Sequence, residues 1–157
     1  MSAYDVRQAV FDELDARTAY RLWALRESVF VVVQACAYLE LDGRDLEPTT
    51  VHVWVSDSGT PVGYLRLLQD PAPDADRLKI GRVLVTGAHR GRGLARTLMG
   101  RALDVVGARR SRLDAQSHLT GWYAGFGFRQ DGEEFVEDGL WHTPMSRPSP
   151  TSACPRS

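Results

Sequence analysis

At 157 residues the chain has room for one hydrophobic core and little more. A hydrophobic fraction of 43% and a charged fraction of 25% are ordinary for a globular protein, and a formal net charge of -1 argues against a dedicated nucleic-acid binder. The two cysteines, Cys36 and Cys154, make neither a disulfide framework nor a CxxC zinc pair; the N-terminus MSAYDVRQAVFDELDAR is charged throughout, and no apolar run reaches the roughly 18 residues that span a bilayer, so a cytoplasmic protein with no metal and no membrane partner is expected.

Residues 8–13 (QAVFDE) read as a short first strand. DARTAYRLWALRESVFVVV then reads as a helix, with Leu22, Leu25, Val29 and Val33 on one face and Asp15 or Thr18 as its cap; the β-branched VFVVV predicts an end before Val33. QACAYLELDGRDLEPTT is an acidic loop. VHVWVSD alternates, with Val51, Val53 and Val55 on one side and His52 and Trp54 on the other, which predicts a half-buried strand. Ser58-Gly59 turns the chain into PVGYLRLLQ, and DPAPDADR connects to the nearly continuous apolar strand LKIGRVLVT. A helix starting near Gly91 follows, with Leu94, Leu98, Ala102 and Val106 in line. SRLDAQ is strand-like, SHLTGWYAGFGF a short helix broken at Gly127, and RQDGEEFVEDGLWHTPMSR a final hairpin around a DG turn. We place one domain at 1–147 and a flexible tail at 148–157.

The loop HRGRGLA stands between a strand and a helix. The first N–H groups of a helix lack partners within it, the helix dipole adds positive character, and Gly91 and Gly93 let a ligand approach the backbone. With Arg90, Arg92 and Arg96 around it, the loop suits a phosphate or pyrophosphate. RGRGLART lacks the lysine of a Walker loop, which argues against a Walker-type NTPase, and GxGxxG fails at Arg96. A solvated basic helix start that binds nothing is the competing reading.

Arg90, Gly93 and Ala95 after VLVT form R-x-x-G-x-A, and Tyr123, Gly127 and Phe128 form Tyr-x-x-x-Gly-Phe. Together these resemble the GNAT superfamily of acyl-CoA-dependent N-acyltransferases. RESVFVV, YLELDGRD, IGRVLV, DAQSHLTGWYAGFGF and EDGLWHTPM, in that order across residues 10–147, resemble its ElaA-like branch. The resemblance implies an α/β fold of the α+β kind: a mixed, largely antiparallel central sheet of 6–7 strands flanked by helices, with a cleft where the fourth and fifth strands splay.

It further implies acetyl-CoA as acyl donor, with the amine of a small molecule or peptide as acceptor, in a monomer or homodimer. The pantetheine arm would pair with the backbone of Val83, Leu84 and Val85. The pyrophosphate would sit on amides of Arg90, Gly91, Arg92, Gly93, Leu94 and Ala95, with Arg96 at its edge. Gln116 stands where many relatives have an asparagine at the pantetheine end, and Tyr123 at the position of the acid that protonates the leaving thiolate. For the base, His52 and Glu40 are placed first, beside Asp42, Asp45, His118, Glu137, Asp138 and His142. A solvated acidic loop and structural histidines are the competing explanations. Val33 stands where the branch has glutamate, and Ala37 where it tends to have proline. The alternatives are a catalytically weak acyl-CoA-binding or sensing module of the same fold, and a phosphate-binding interaction protein unrelated to CoA.

Overall fold

The structure, a computed structural model, describes residues 3–33 and 39–150. Its strands hydrogen-bond in the order β1-β2-β3-β4-β5-β8-β6, with β7 on β8, in one eight-stranded sheet. The elements are β1 (Tyr4–Ala9), α1 (Ala16–Glu27), β2 (Val51–Asp57), β3 (Thr60–Gln69), β4 (Arg77–Val85), α2 (Leu94–Val106), β5 (Arg110–Gln116), α3 (Thr120–Ala124), β6 (Arg129–Gln130), β7 (Phe135–Glu137) and β8 (Leu140–Arg147). The chain divides into two compact units, residues 1–68 with 82–105 and residues 69–81 with 106–157, so β4 contributes to both. Cys36, Ala37, Cys154 and the tail from residue 151 lie outside the described residues, as does the side chain of Val33.

In the first unit the opening strand lies earlier than the sequence pattern suggests. Tyr4–Ala9 pairs antiparallel with β2, and Phe11–Glu13 is a 3-10 turn in which Glu13 Oε1 accepts from the Val10 N–H at 3.0 Å. Asp15 is the cap of α1: its Oδ1 accepts from the Thr18 N–H at 2.7 Å. The α-helix ends at Glu27, and Ser28–Val33 continues as a π-helical turn. Leu22, Leu25 and Val29 pack on Trp54, Tyr64 and Leu84, one from each of β2, β3 and β4. That contact corrects the expectation of a half-buried β2. The face carrying His52 and Trp54 is covered by α1 and is as dry as the valine face.

The opposite face takes α2. Gly63 lies opposite Val55, and a Cβ there would come within 2.8 Å of Val55 Cγ1 and 3.1 Å of Leu98 Cδ1. The absent side chain is therefore what lets the helix approach. Leu94, Leu98, Ala102 and Val106 are all buried, as their spacing requires. The helix starts at Leu94 rather than Gly91, because Gly91 and Gly93 hold φ of 76° and 75°, outside the helical region. Ser58-Gly59, both at positive φ, closes the β2–β3 hairpin as a two-residue turn.

In the second unit β4 pairs parallel with β5, Arg77–Lys79 against Arg110–Arg112. β5 pairs antiparallel with β8 from Ser111↔Arg147 to Gln116↔His142, and Asp138-Gly139, again at positive φ, turns β7 into β8. Ser111, Leu113 and Ala115 alternate inward along β5. At its other end sits Asp70, buried, whose carboxylate accepts from Arg112 Nε and Nη2 at 2.8 and 2.7 Å and from Arg77 Nε at 2.6 Å. The Arg112 hydrogen bonds, reinforced by Arg77, hold its pKa down to about 2.

A carboxylate whose folded-state pKa is lowered stabilises the fold above its unfolded value and loses that contribution as pH falls through the folded one. Asp70→Asn is therefore expected to cost about 2 kcal/mol at pH 7. Urea unfolding of both proteins as a function of pH should show the gap closing between about pH 4 and pH 2.

Candidate active site

Two sets of candidate residues lie in the first unit. One is the turn from β4 into α2. Thr86 leads into a 3-10 turn over Gly87–His89, and the chain then passes through left-handed Gly91 and Gly93. The first helical hydrogen bond runs from the Thr97 N–H to the Gly93 carbonyl at 3.1 Å, so the amides of Leu94, Ala95 and Arg96 precede the helix's own ladder. Nothing lies within 4 Å of where a Cβ would stand on Gly91 or Gly93, so the backbone there is open to a ligand. Leu94 points its side chain into the core; only its backbone is available to the loop.

The loop is braced from the sheet edge. Arg92 Nη1 donates to Tyr4 Oη at 2.8 Å, Arg90 Nε to the Val85 carbonyl at 3.3 Å, and His89 bridges Asp57 Oδ2 at 3.0 Å and Thr86 Oγ1 at 2.9 Å. Val83, Leu84 and Val85 lead into it, directly after Arg82, which holds φ of 55° inside the strand. A left-handed residue within a strand turns its flanking peptide planes and interrupts the regular ladder.

The second set is a charged cluster beneath α1. Arg26 is 0% exposed. Its Nε donates to Glu40 Oε1 at 2.7 Å, its Nη1 to Asp45 Oδ1 at 2.7 Å, and its guanidinium lies 5.0 Å from the Trp23 ring centre and 5.4 Å from that of Tyr64. Arg66 donates to Asp45 at 2.9 Å and to both oxygens of Asp42 at 3.0 and 2.6 Å. Arg82 Nε donates to Glu40 Oε1 at 2.9 Å. Burial favours the neutral acid at Asp42, but the Arg66 guanidinium outweighs it and holds the pKa far below the usual range. Glu47 pairs with Arg44. The acids of the 40–47 loop are thus matched by arginines.

His52 sits inside this cluster, 0% exposed. Its Nε2 lies 3.1 Å from the Asp45 carbonyl, which can only accept, so Nε2 carries the proton; Nδ1 then accepts from Tyr64 Oη at 2.6 Å. Burial, with the nearby arginines, lowers its pKa, and the ring is neutral with both nitrogens engaged.

Gln116 and Tyr123 belong to the second unit. Gln116 ends β5 and pairs across the ladder with His142. Tyr123 is 7% exposed on α3, edge-on to Trp122 at 4.9 Å and to Phe128 at 6.4 Å. Burial pushes its phenol up to about 12, so it keeps its proton across the neutral range. Of the remaining base candidates, His118, Glu137 and Asp138 are exposed, and His142 is half-buried.

Sequence reasoning missed Arg26, Tyr64, Arg66 and Arg82. A signal existed: Arg26 stands in line with Leu22 and Val29 on the face that the helix buries, and an acid-rich loop follows it. Among the described residues, no group of His, Cys, Asp and Glu is placed to hold a metal ion, and no helix is long and apolar enough to cross a membrane.

Residues 25–148 match the family model of the acetyltransferase (GNAT) domain, and the chain belongs to that family. It is 44% identical over 144 residues to the UPF0039 protein Rv2851c of Mycobacterium tuberculosis, covering 91% of this chain and 92% of that one. Among solved structures it is similar to an acyl-CoA N-acyltransferase from Pseudomonas aeruginosa, with a TM-score of 0.87 and 38% identity, covering 92% and 99% of the two chains. Escherichia coli ElaA is similar too, with a TM-score of 0.86, 34% identity and the same coverage.

Replacing Arg82 by glycine or by alanine removes the same ion pair, but only alanine keeps a Cβ at positive φ. Arg82→Gly is expected to be more stable than Arg82→Ala by about 1 kcal/mol, read from urea midpoints at constant m-value.

Proposed function

We propose that the protein is an N-acetyltransferase that moves the acetyl group of acetyl-CoA to a primary amine of a small molecule or peptide. The observation that carries this reading is the open backbone at left-handed Gly91 and Gly93, set just before the amides of Leu94, Ala95 and Arg96 at the start of α2. A pyrophosphate needs backbone donors without side-chain obstruction, and this turn has them. Arg90 and Arg92 are exposed beside it, and Arg96 follows on the first helical turn.

Acetyl-CoA supplies a thioester carbonyl for the amine to attack. Val83–Val85 offer strand backbone to the pantetheine arm, Gln116 an amide to its far end, and Tyr123 a proton for the departing thiolate. Burial keeps that phenol protonated across the neutral range, so the proton is present to be given. Glu40 and His52 take supporting roles in this reading. Glu40 is shared between Arg26 and Arg82, and His52 has no ring nitrogen to spare. That engagement is also what favours the second reading, an acyl-CoA-binding module with little turnover.

Calorimetric titration with acetyl-CoA, beside ADP and phosphate, tests the donor. Binding that requires the pantetheine arm is expected; binding no tighter than ADP would sink the acyltransferase reading. Release of CoA thiol in the presence of an amine separates enzyme from binding module.

Gly93→Glu and Gly93→Gln impose the same backbone strain, but only the glutamate sets a negative charge against the pyrophosphate. The glutamate variant is expected to bind acetyl-CoA at least about tenfold more weakly than the glutamine variant, about 1.4 kcal/mol. Tyr123→Phe is expected to lower kcat about a hundredfold while leaving the acetyl-CoA Kd nearly unchanged. Equal turnover would remove Tyr123 from the acid role.

A further inference from the structure

We propose that His142 is the general base that takes the proton of the acceptor amine, working beside Gln116 at the thioester end of the acetyl-CoA site. The inference rests on the acetyltransferase reading above and adds the group which that reading lacks. Its starting point is the register of the β5–β8 ladder, in which His142 is the direct partner of Gln116. Directly opposed residues of an antiparallel pair project to the same face with Cβ atoms about 4.5–5.5 Å apart. The residue placed at the pantetheine end therefore has an imidazole as its neighbour.

The ring is held as a base should be. Its Nδ1 lies 2.9 Å from the Leu140 carbonyl, which can only accept, so Nδ1 carries the proton and donates. In the neutral ring this leaves the lone pair on Nε2, and no described residue hydrogen-bonds that nitrogen. Phe135 stacks on the imidazole at 5.6 Å between centres and 17° between planes, which fixes the ring plane. A base oriented through its second nitrogen follows the same logic as the histidine of a hydrolase triad.

The other histidines do not combine these features. His52 is fully buried with both nitrogens engaged, His89 is tied to Thr86 and Asp57, and His118 is exposed on the turn after β5. The charged and titratable side chains on the elements beside His142 are Arg110, Arg112 and Asp114 on β5, the last paired with Lys79 at 3.0 Å, Arg129 on β6, Glu137 on β7, Asp138 in the turn, and His118. Its immediate neighbours, Gln116 and Phe135, are uncharged.

The step balances as follows. Nε2 takes a proton from the ammonium form of the acceptor and later releases it to water. The amine nitrogen bonds the acetyl carbon, and the carbon–sulfur bond breaks. The thiolate takes the Tyr123 hydroxyl proton, and the proton still surplus on the new amide nitrogen restores that phenol.

The test joins NMR of the imidazole nitrogens with kinetics. In the wild-type protein at pH 8, the His142 signals, assigned by their loss in His142→Gln, should report the Nδ1–H tautomer. They should shift when acetyl-CoA is added but not with adenosine 3′,5′-bisphosphate, which lacks the pantetheine arm. With n-propylamine and triglycine as acceptors, His142→Gln should keep the acetyl-CoA Kd within about twofold and lose about a hundredfold in kcat/KM. The proposal is overturned by an Nε2–H tautomer, by no response to acetyl-CoA in a protein that binds it, or by an unchanged rate in the variant. Where neither amine is turned over, the NMR result alone decides. Failure of the wild-type protein to bind acetyl-CoA overturns the acyltransferase reading itself, and this inference with it.

Discussion

A guanidinium with no access to water must have every direction of its charge answered by protein, and Arg26 sets that condition for the first unit. Glu40 and Asp45 answer it directly, and the ring faces of Trp23 and Tyr64 close over the rest. Two carboxylates on one arginine would leave surplus negative charge, so Arg66 and Arg82 enter, and Asp42 follows Arg66. Removing one member of such a set strands its partners in a medium that solvates them poorly, which costs far more than the intact set contributes. The acidic loop after α1 is thereby anchored to β3 and β4, through arginines that alternate with the apolar residues of those strands.

The same cluster reaches the backbone of the candidate site through one residue. Arg82 gives its side chain to Glu40 and its main chain to the left-handed position ahead of Val83–Val85. The ion pair stabilises a conformation that an arginine would otherwise adopt at a cost of order 1–2 kcal/mol. Strain and charge are thus placed together, just upstream of the strand segment that leads into the glycine turn. The turn is braced separately, by Tyr4, Asp57 and Thr86, so its arginines and His89 are oriented from the β1–β2 edge and from the end of β4.

What was legible in the sequence follows from what kind of signal each feature leaves. The buried seam of α2 has a helical period, the two hairpins have turn residues that accept positive φ, and the loop has glycines at fixed spacing; each is local and survives without tertiary information. β1 leaves little signal, because an edge strand with most side chains in water carries no apolar alternation, and QAVFDE places the strand a few residues too late. β2 looks half-buried in the sequence because His52 and Trp54 alternate with its valines like a wet face. Only the packing of α1 makes that face dry, and no window along the chain contains both elements. The arginine cluster was invisible for the same reason: Arg26 meets Glu40, Asp45 and Tyr64 from 14, 19 and 38 residues away. An isolated arginine in a sequence reads as surface.

A division of chemical labour follows. The strongest charges of the first unit are committed to one another, and the histidine among them is kept neutral by burial and the nearby arginines, with both ring nitrogens engaged. In the proposed reading, what remains for binding and proton transfer is weaker and more local: open backbone at glycines, an amide at the end of β5, a phenol that burial keeps protonated, and an imidazole pinned by a backbone carbonyl. In that reading these groups serve the attack of an amine on a thioester that is already activated. Neutral, oriented groups at the proposed reacting end also avoid a fixed negative charge that would hold an acceptor amine as its unreactive ammonium, so pairing the acids of the 40–47 loop with arginines suits the proposed chemistry as well as the fold.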